Sequence, residues 1–457
     1  MTMKTDRPGW PERICYAAGG LGIRIAFGVV TGYFLIYLTN VALLDIAACS
    51  AIIGVSKFFD GISDIMVGNV IDNTDSRLGK ARIWLLRMSL PLAATMMLLF
   101  WVPPMLPQLL KYVYAFLMYN IANTVMLTFM QISHYSMVSL ISGDRKEQTI
   151  LSSIQAMTRS LGGMLGSVVF VRLLSTFSDV PGNQNTQAAY TRSMTAVCIV
   201  LLVLTLINVI GTRERVQTAP AREKKSLLKE SAASLILLLK NRCWATLIVC
   251  DLLIITVMQL MATGATYYSL YVLNDMNYVS LILLTNLIPT VLIMFTVPAL
   301  TGKLGSRKVF AAGLALSIAG LTGFALAAPS ITPMLIFNVI FGLGNGLHKG
   351  TIVALTAEMV IYTEKTTGQF IAGTGNAGLS ATDKLGGGLG NVIFGSLLAA
   401  VGFDAALKVQ PAAVGNMVSM LFTWIPAMML AVALVIFILF FDLERNSENE
   451  NGHSSAE

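Results

Sequence analysis

The chain has 457 residues, of which 55% are hydrophobic and only 12% charged, with a formal net charge of +7 and a mean hydropathy of +0.72. Charged residues supply roughly a quarter of an ordinary water-soluble domain, so this composition excludes one of that kind. It requires a lipid bilayer as solvent, where each helical crossing takes roughly 20 apolar residues.

Apolar runs of that length predict twelve membrane helices. They fall at about 12–39, 44–72, 82–103, 110–141, 148–177 and 190–211, and then at about 243–272, 278–300, 308–328, 332–362, 367–402 and 412–442. No small-residue cleavage site follows the first run, which is therefore expected to be retained and not removed as a signal peptide.

Between the sixth and seventh runs, "TRERVQTAPAREKKSLLKESAASLILLLKNR" starts basic and continues with leucines at helical spacing. It reads as a linker leading into an amphipathic helix on the cytoplasmic surface. The expected organisation is a six-helix bundle over 1–211, this linker over 212–242, a second six-helix bundle over 243–442, and a disordered cytoplasmic tail over 443–457. Two turns support a duplicated unit, because "GNVIDNTDSRLGK" after the second run and "PALTGKLGSRK" after the eighth are both tight, basic and glycine-containing.

Most of the 31 lysines and arginines lie in alternate loops: the amino-terminal tail, 77–87, 145–146, 213–242, 303–308, and at Lys365 and Arg445. By the positive-inside rule this places both termini in the cytoplasm, with the protein a multi-pass resident of the cell (inner or plasma) membrane. The basic excess is thus a topology signal, and no nucleic-acid partner is expected. The five cysteines have no metal-ligand or pairing spacing and read as small core residues. Three histidines exclude a His-rich metal site, and neither HExxH nor GxSxG is present, so no enzyme is expected. The strings "GLGNGLHKG" and "GGGLG" follow no predicted strand and read as close helix packing or hinges.

The charges inside the membrane carry the functional signal, because each costs on the order of 3 kcal/mol at mid-bilayer unless partnered or used. In "KFFDGISDIMVGNVID" of the second run, Asp60 and Asp64 are four residues apart and share a helix face with Lys57. Two carboxylates with one cation leave spare negative charge, a geometry that serves Na⁺, held by hard oxygens, or H⁺. A structural ion-pair cluster is the alternative. Lys384 in the eleventh run is a candidate counter-ion, unless its neighbour Asp383 neutralises it. Arg24 in the first run suits recognition of a carboxylate, phosphate or sulfonate, or else pairs with Asp251 or the Asp60 cluster.

The stretch "DGISDIMVGNVIDNTDSRLGKARIW", with "GDRKEQTIL", "LTAEMVIYTEKTTGQF" and the Lys384 region, resembles the glycoside-pentoside-hexuronide cation symporters, the melibiose-carrier branch of the major facilitator superfamily. The resemblance covers nearly the whole chain. It implies an all-α membrane protein of twelve helices in two pseudo-symmetric six-helix bundles. It also implies cation-coupled symport of a sugar or glycoside by alternating access, with no cofactor beyond the coupling ion, Na⁺ or H⁺. In that family the residues matching Asp60 and Asp64 bind the cation, as a metal ligand if it is Na⁺, helped by those matching Ser63 and Thr128, while the lysine matching Lys384 lies nearby. Melibiose carriers place sugar-binding aspartates where this chain has Arg24 and Gln131. The reversed sign motivates an anionic substrate, such as a hexuronide or sulfonated sugar, with Arg24 as its clamp, Gln131 on a hydroxyl, Lys384 as a further substrate-binding residue, and Lys57 and Asp251 in the charge network. A monomer is expected. The competing readings are a carrier of amphiphiles such as lysolipids and a non-transporting sugar sensor.

Overall fold

The computed structural model describes residues 8–142, 144–180, 184–216, 242–328, 330–367, 372–405, 407 and 410–441. The expected linker helix and carboxy-terminal tail lie outside these. The described residues form helices α1 (Trp10–Asn40), α2 (Ile46–Asp72), α3 (Arg82–Leu99) and α4 (Gln108–Tyr119), a π-helix (Asn120–Leu127), α5 (Thr128–Ile141), α6 (Arg145–Phe177) and α7 (Gln187–Gly211). They continue as α8 (Arg242–Tyr271), α9 (Tyr278–Met294), α10 (Val297–Leu304), α11 (Ser306–Ala327), α12 (Ile331–Thr367), α13 (Ala372–Ala400), α14 (Ala412–Phe422) and α15 (Trp424–Phe440).

Among the described residues, 9 helices are long and apolar enough to cross a bilayer, or 10 when α9 and α10, bent by 55°, count as one span. With α2 and α13, of 27 and 29 residues, every expected membrane run has a helix. The bend follows Met294, where Pro298 cannot supply an N–H to the preceding turn.

Two compact units are present. The first comprises residues 1–223 with 262–284 and 391–418, and the second comprises 224–261, 285–390 and 419–457. In the first, α1 runs so close to α6 that a Cβ on Gly28 would lie 1.9 Å from the Gly163 carbonyl oxygen. Ser167 Oγ donates to the Gly28 carbonyl at 3.0 Å, and Tyr33 Oη donates to the Ser167 carbonyl at 2.8 Å. Hydrogen bonds between polar side chains and backbone hold helices that gain nothing from hydrophobicity once lipid surrounds them. Beyond this contact, Phe34, Tyr37, Phe100, Phe170 and Tyr190 form an aromatic cluster. At the other end, the Glu214 carboxylate accepts from the N–H groups of Lys80, Ala81 and Arg82 at 2.7, 3.0 and 2.8 Å. It thereby caps α3 where the helix dipole favours negative charge.

In the second unit, α11 and α12 pack through Gly313, Gly320 and Gly344, whose missing side chains would strike the facing backbone. A Cβ on Gly386 or Gly390 of the string in α13 would lie 2.9 or 2.7 Å from the side chains of Ile255 or Gln259 of α8, so both glycine strings serve close packing. The two echoed turns share a backbone device. Gly79 and Gly305 have φ of 106° and 82°, a region glycine enters without penalty, and α3 and α11 begin within three residues of each.

Candidate cation and substrate sites

Asp60 sits on α2 with 7% of its surface exposed. Lys57, one turn earlier, brings its Nζ to 3.3 Å from Oδ2. Further contacts come from the π-helix: Thr124 Oγ1 donates to Oδ1 at 2.6 Å and Asn123 Nδ2 donates to Oδ2 at 3.3 Å. Asn120 Nδ2, from the same stretch, donates to Ser56 Oγ at 2.8 Å and ties the two segments together. An ionised carboxylate can be kept in so apolar a place only with such donors around it.

Asp64 is half-buried one turn further along α2. The Ser63 hydroxyl donates to the Asp60 carbonyl of its own helix at 3.0 Å. Thr128 is buried one turn past Thr124, so the threonine hydroxyl that meets Asp60 belongs to Thr124. Sequence reasoning missed Asn123 and Thr124. The signal was there, since Asn120, Asn123 and Thr124 stand at i, i+3 and i+4 within the apolar "YNIANTVML".

Arg24 is 8% exposed in the middle of α1, and its Nη2 donates to Gln131 Oε1 of α5 at 3.3 Å. Its guanidinium lies over the rings of Phe27 and Tyr135, 5.3 and 5.7 Å from their centroids. Arg24, Gln131 and Tyr135 border a small recess of about 10 Å³ between α1, α5 and α6, with Gln155, Thr158 and Arg159 on its α6 wall. The hydroxyl of Tyr135 is buried without a hydrogen-bond partner. His134 also borders the recess, but its Nε2 is 2.9 Å from the Tyr16 carbonyl and its ring stacks on Tyr16 at 4.3 Å. This is the backbone-satisfied histidine expected of a packed core.

Asp251 and Lys384 belong to the second unit. Asp251 is buried on α8 and accepts a hydrogen bond from Thr382 of α13, and Lys384 is half-buried two residues beyond Thr382. Among the described residues no group of three His, Cys, Asp or Glu is placed to hold a metal ion. A hard monovalent cation would instead be held by one or two carboxylates with neutral oxygens, as around Asp60.

The profile of the MFS/sugar transport protein family matches residues 15–445. The chain belongs to that family. It is therefore a multi-pass membrane carrier and not an enzyme, and the resemblance to the glycoside-pentoside-hexuronide cation symporters is borne out. It is 27% identical over 459 residues to the isoprimeverose transporter of Lactiplantibacillus pentosus, covering 97% of this chain and 93% of that one. It is likewise 27% identical over 402 residues to the glucuronide carrier protein homolog of Escherichia coli, covering 87% and 85%. The crystal structure of a D-xylose-proton symporter matches with a TM-score of 0.65 at 16% identity, over 95% of this chain and 98% of that one. That likeness shows the major facilitator fold.

Proposed function

We propose that this family member is a secondary active symporter that couples a small cation at Asp60 and Asp64 to uptake of a sugar or glycoside bearing an anionic group. The relatives' names support a glycoside without choosing its charge, since one is named for isoprimeverose and another for a glucuronide. The observation that carries the choice is the buried Arg24 in the lining of the recess, with Arg159 and an unpartnered Tyr135 hydroxyl in the same lining. Guanidinium and phenol are donors that match a carboxylate or sulfonate. With about 10 Å³ of free space, room for a single water, the recess admits a charged group only as its walls part, while the sugar ring lies outside.

On this reading cation binding offsets the negative charge of α2, substrate binds next to it, and alternating access carries both across. The protein works as a monomer in the cell membrane with both termini cytoplasmic, as the lysine and arginine distribution implies. The test is counterflow in proteoliposomes with paired neutral and acidic glycosides, Na⁺ and pH being varied separately. Transport of acidic glycosides, driven by one of the two ions, is expected. Transport of neutral galactosides with uronides and sulfonated sugars ignored would sink the anion assignment.

A further inference from the structure

The seat around Asp60 holds more than a pair of acids needs. Asn123 is 4% exposed, and its Nδ2 donates to Asp60 Oδ2 while its Oδ1 is buried with no hydrogen-bond partner. Buried acceptors are nearly always satisfied, so an amide oxygen left over beside a carboxylate points to something that it receives at another stage of the cycle.

The backbone around it is also unusual. Residues 120–127 are wound as a π-helix, a form found mostly as single turns and frequently at functional sites. On an α-helix, neighbouring side chains diverge by about 100°, yet the consecutive residues Asn123 and Thr124 both reach the Asp60 carboxylate. Finally, a positive charge already sits against that carboxylate, the ammonium of Lys57 at 3.3 Å, on a side chain only 14% exposed.

We infer that Asn123 is an oxygen ligand of the coupling cation, that this cation is a metal ion of the sodium type and not a proton, and that Lys57 is its tethered stand-in. The inference rests on the proposed cation coupling and narrows it. A proton on Asp60 needs a single oxygen, whereas an alkali cation needs several hard ones. The oxygens at hand are the Asp60 carboxylate, Thr124 Oγ1 and Asn123 Oδ1, with the Asp64 carboxylate one turn along the same helix. An asparagine carries donor and acceptor on one carbon. A half-turn of the amide exchanges them, so Asn123 donates to Asp60 while Lys57 is engaged and coordinates once a metal ion displaces it. A symporter must also reorient without its ion, and a bare buried carboxylate would oppose that step. Lys57 supplies the missing charge from within.

The test uses the full-length protein purified in detergent and titrated calorimetrically with NaCl against choline chloride at constant ionic strength, with no sugar present. Wild type is expected to bind Na⁺ saturably. Asn123→Ala is expected to weaken binding roughly tenfold or more, a typical loss for a group supporting a metal site, and Asn123→Asp, which keeps an oxygen, to retain it. Lys57→Gln, lacking the competing ammonium, is expected to bind roughly tenfold or more tightly. If Lys57→Gln fails to fold, the two Asn123 variants decide. Absent Na⁺ binding in wild type, unchanged binding in Asn123→Ala, loss in Asn123→Asp equal to that in Asn123→Ala, or weaker binding in a folded Lys57→Gln would each overturn the inference. A wild type that ignores Na⁺ but accumulates acidic glycosides on a proton gradient would overturn it while leaving the proposed symport intact.

Discussion

Arg24 and Lys57 lie against a single ring, that of Phe27, with their cationic ends 5.3 and 5.4 Å from its centroid. Arg24 borders the proposed substrate recess and Lys57 pairs with Asp60, so one aromatic side chain of α1 touches both halves of the proposed coupling. A cation over a ring gains about 0.5–2 kcal/mol, and a shift of either charge changes what the ring offers the other. Phe27→Leu keeps the bulk and removes the π face. It is expected to shrink the factor by which Na⁺ tightens substrate binding by roughly 2- to 30-fold. Substrate affinity with and without Na⁺ measures that factor, and reciprocity requires the same loss in Na⁺ affinity with and without substrate. An unchanged factor would remove Phe27 from the coupling.

Arg24→Gln should discriminate between substrates. A charge-assisted hydrogen bond contributes about 1.5–3 kcal/mol, so affinity for acidic glycosides is expected to fall roughly 10- to 150-fold while neutral ones are unaffected. Arg24→Lys keeps the charge without the planar fork and should fall between. Competition in a counterflow assay reads both, and equal losses for acidic and neutral sugars would count against an anion clamp.

Asp60→Asn removes the charge on which the cation depends but leaves a side chain of the same shape for Thr124 to bond. Accumulation against a gradient is expected to be abolished while the protein still reaches the membrane, as followed by a carboxy-terminal fluorescent fusion. Concentrative uptake at the wild-type level would refute the assignment.

Glu214→Ala leaves three N–H groups at the start of α3 without their acceptor. Lost helix caps cost about 0.5–2 kcal/mol, and this one also forfeits the attraction of a carboxylate to the dipole. A lower melting midpoint is expected, with little change in substrate affinity. The buried thiols of Cys49, Cys198, Cys243 and Cys250 make a thiol-reactive dye a suitable reporter of unfolding. An unchanged midpoint would mean that water replaces the carboxylate there.

Gly28→Val places methyl groups where the Gly163 carbonyl oxygen already stands. Because the clash is with backbone, α1 and α6 must separate, and the variant is expected to fail in expression or to elute aggregated on size exclusion. Wild-type behaviour would show that this approach is looser than the structure has it.

The twelve spans were legible because lipid imposes one requirement on every crossing helix, and apolar length satisfies it visibly. Asp60 and Lys57 were legible for the converse reason, since charges in such a run stand out. Arg24 stood out as a charge in the first run, Gln131 was legible only as a position where melibiose carriers have an acid, and the structure joins them by a hydrogen bond. Asn123 and Thr124 were overlooked because neutral polar residues are common in membrane helices, and only their i, i+3, i+4 pattern with Asn120 marks a face. The π winding depends on which carbonyl each N–H selects, a choice that composition does not record.

The loosely wound stretch in the fourth span has a mechanical consequence. Asn123 and Gln131 belong to one continuous rod, the first at the proposed ion seat and the second at the proposed substrate recess, with surplus winding beginning three residues before Asn123. Were that stretch to tighten into an ordinary helix, everything beyond it would swivel by about 100° for each residue taken up, carrying Gln131 away from Arg24. A small ion settling at one level of the rod would thus be felt as torque at the other, with no lever or linker between them.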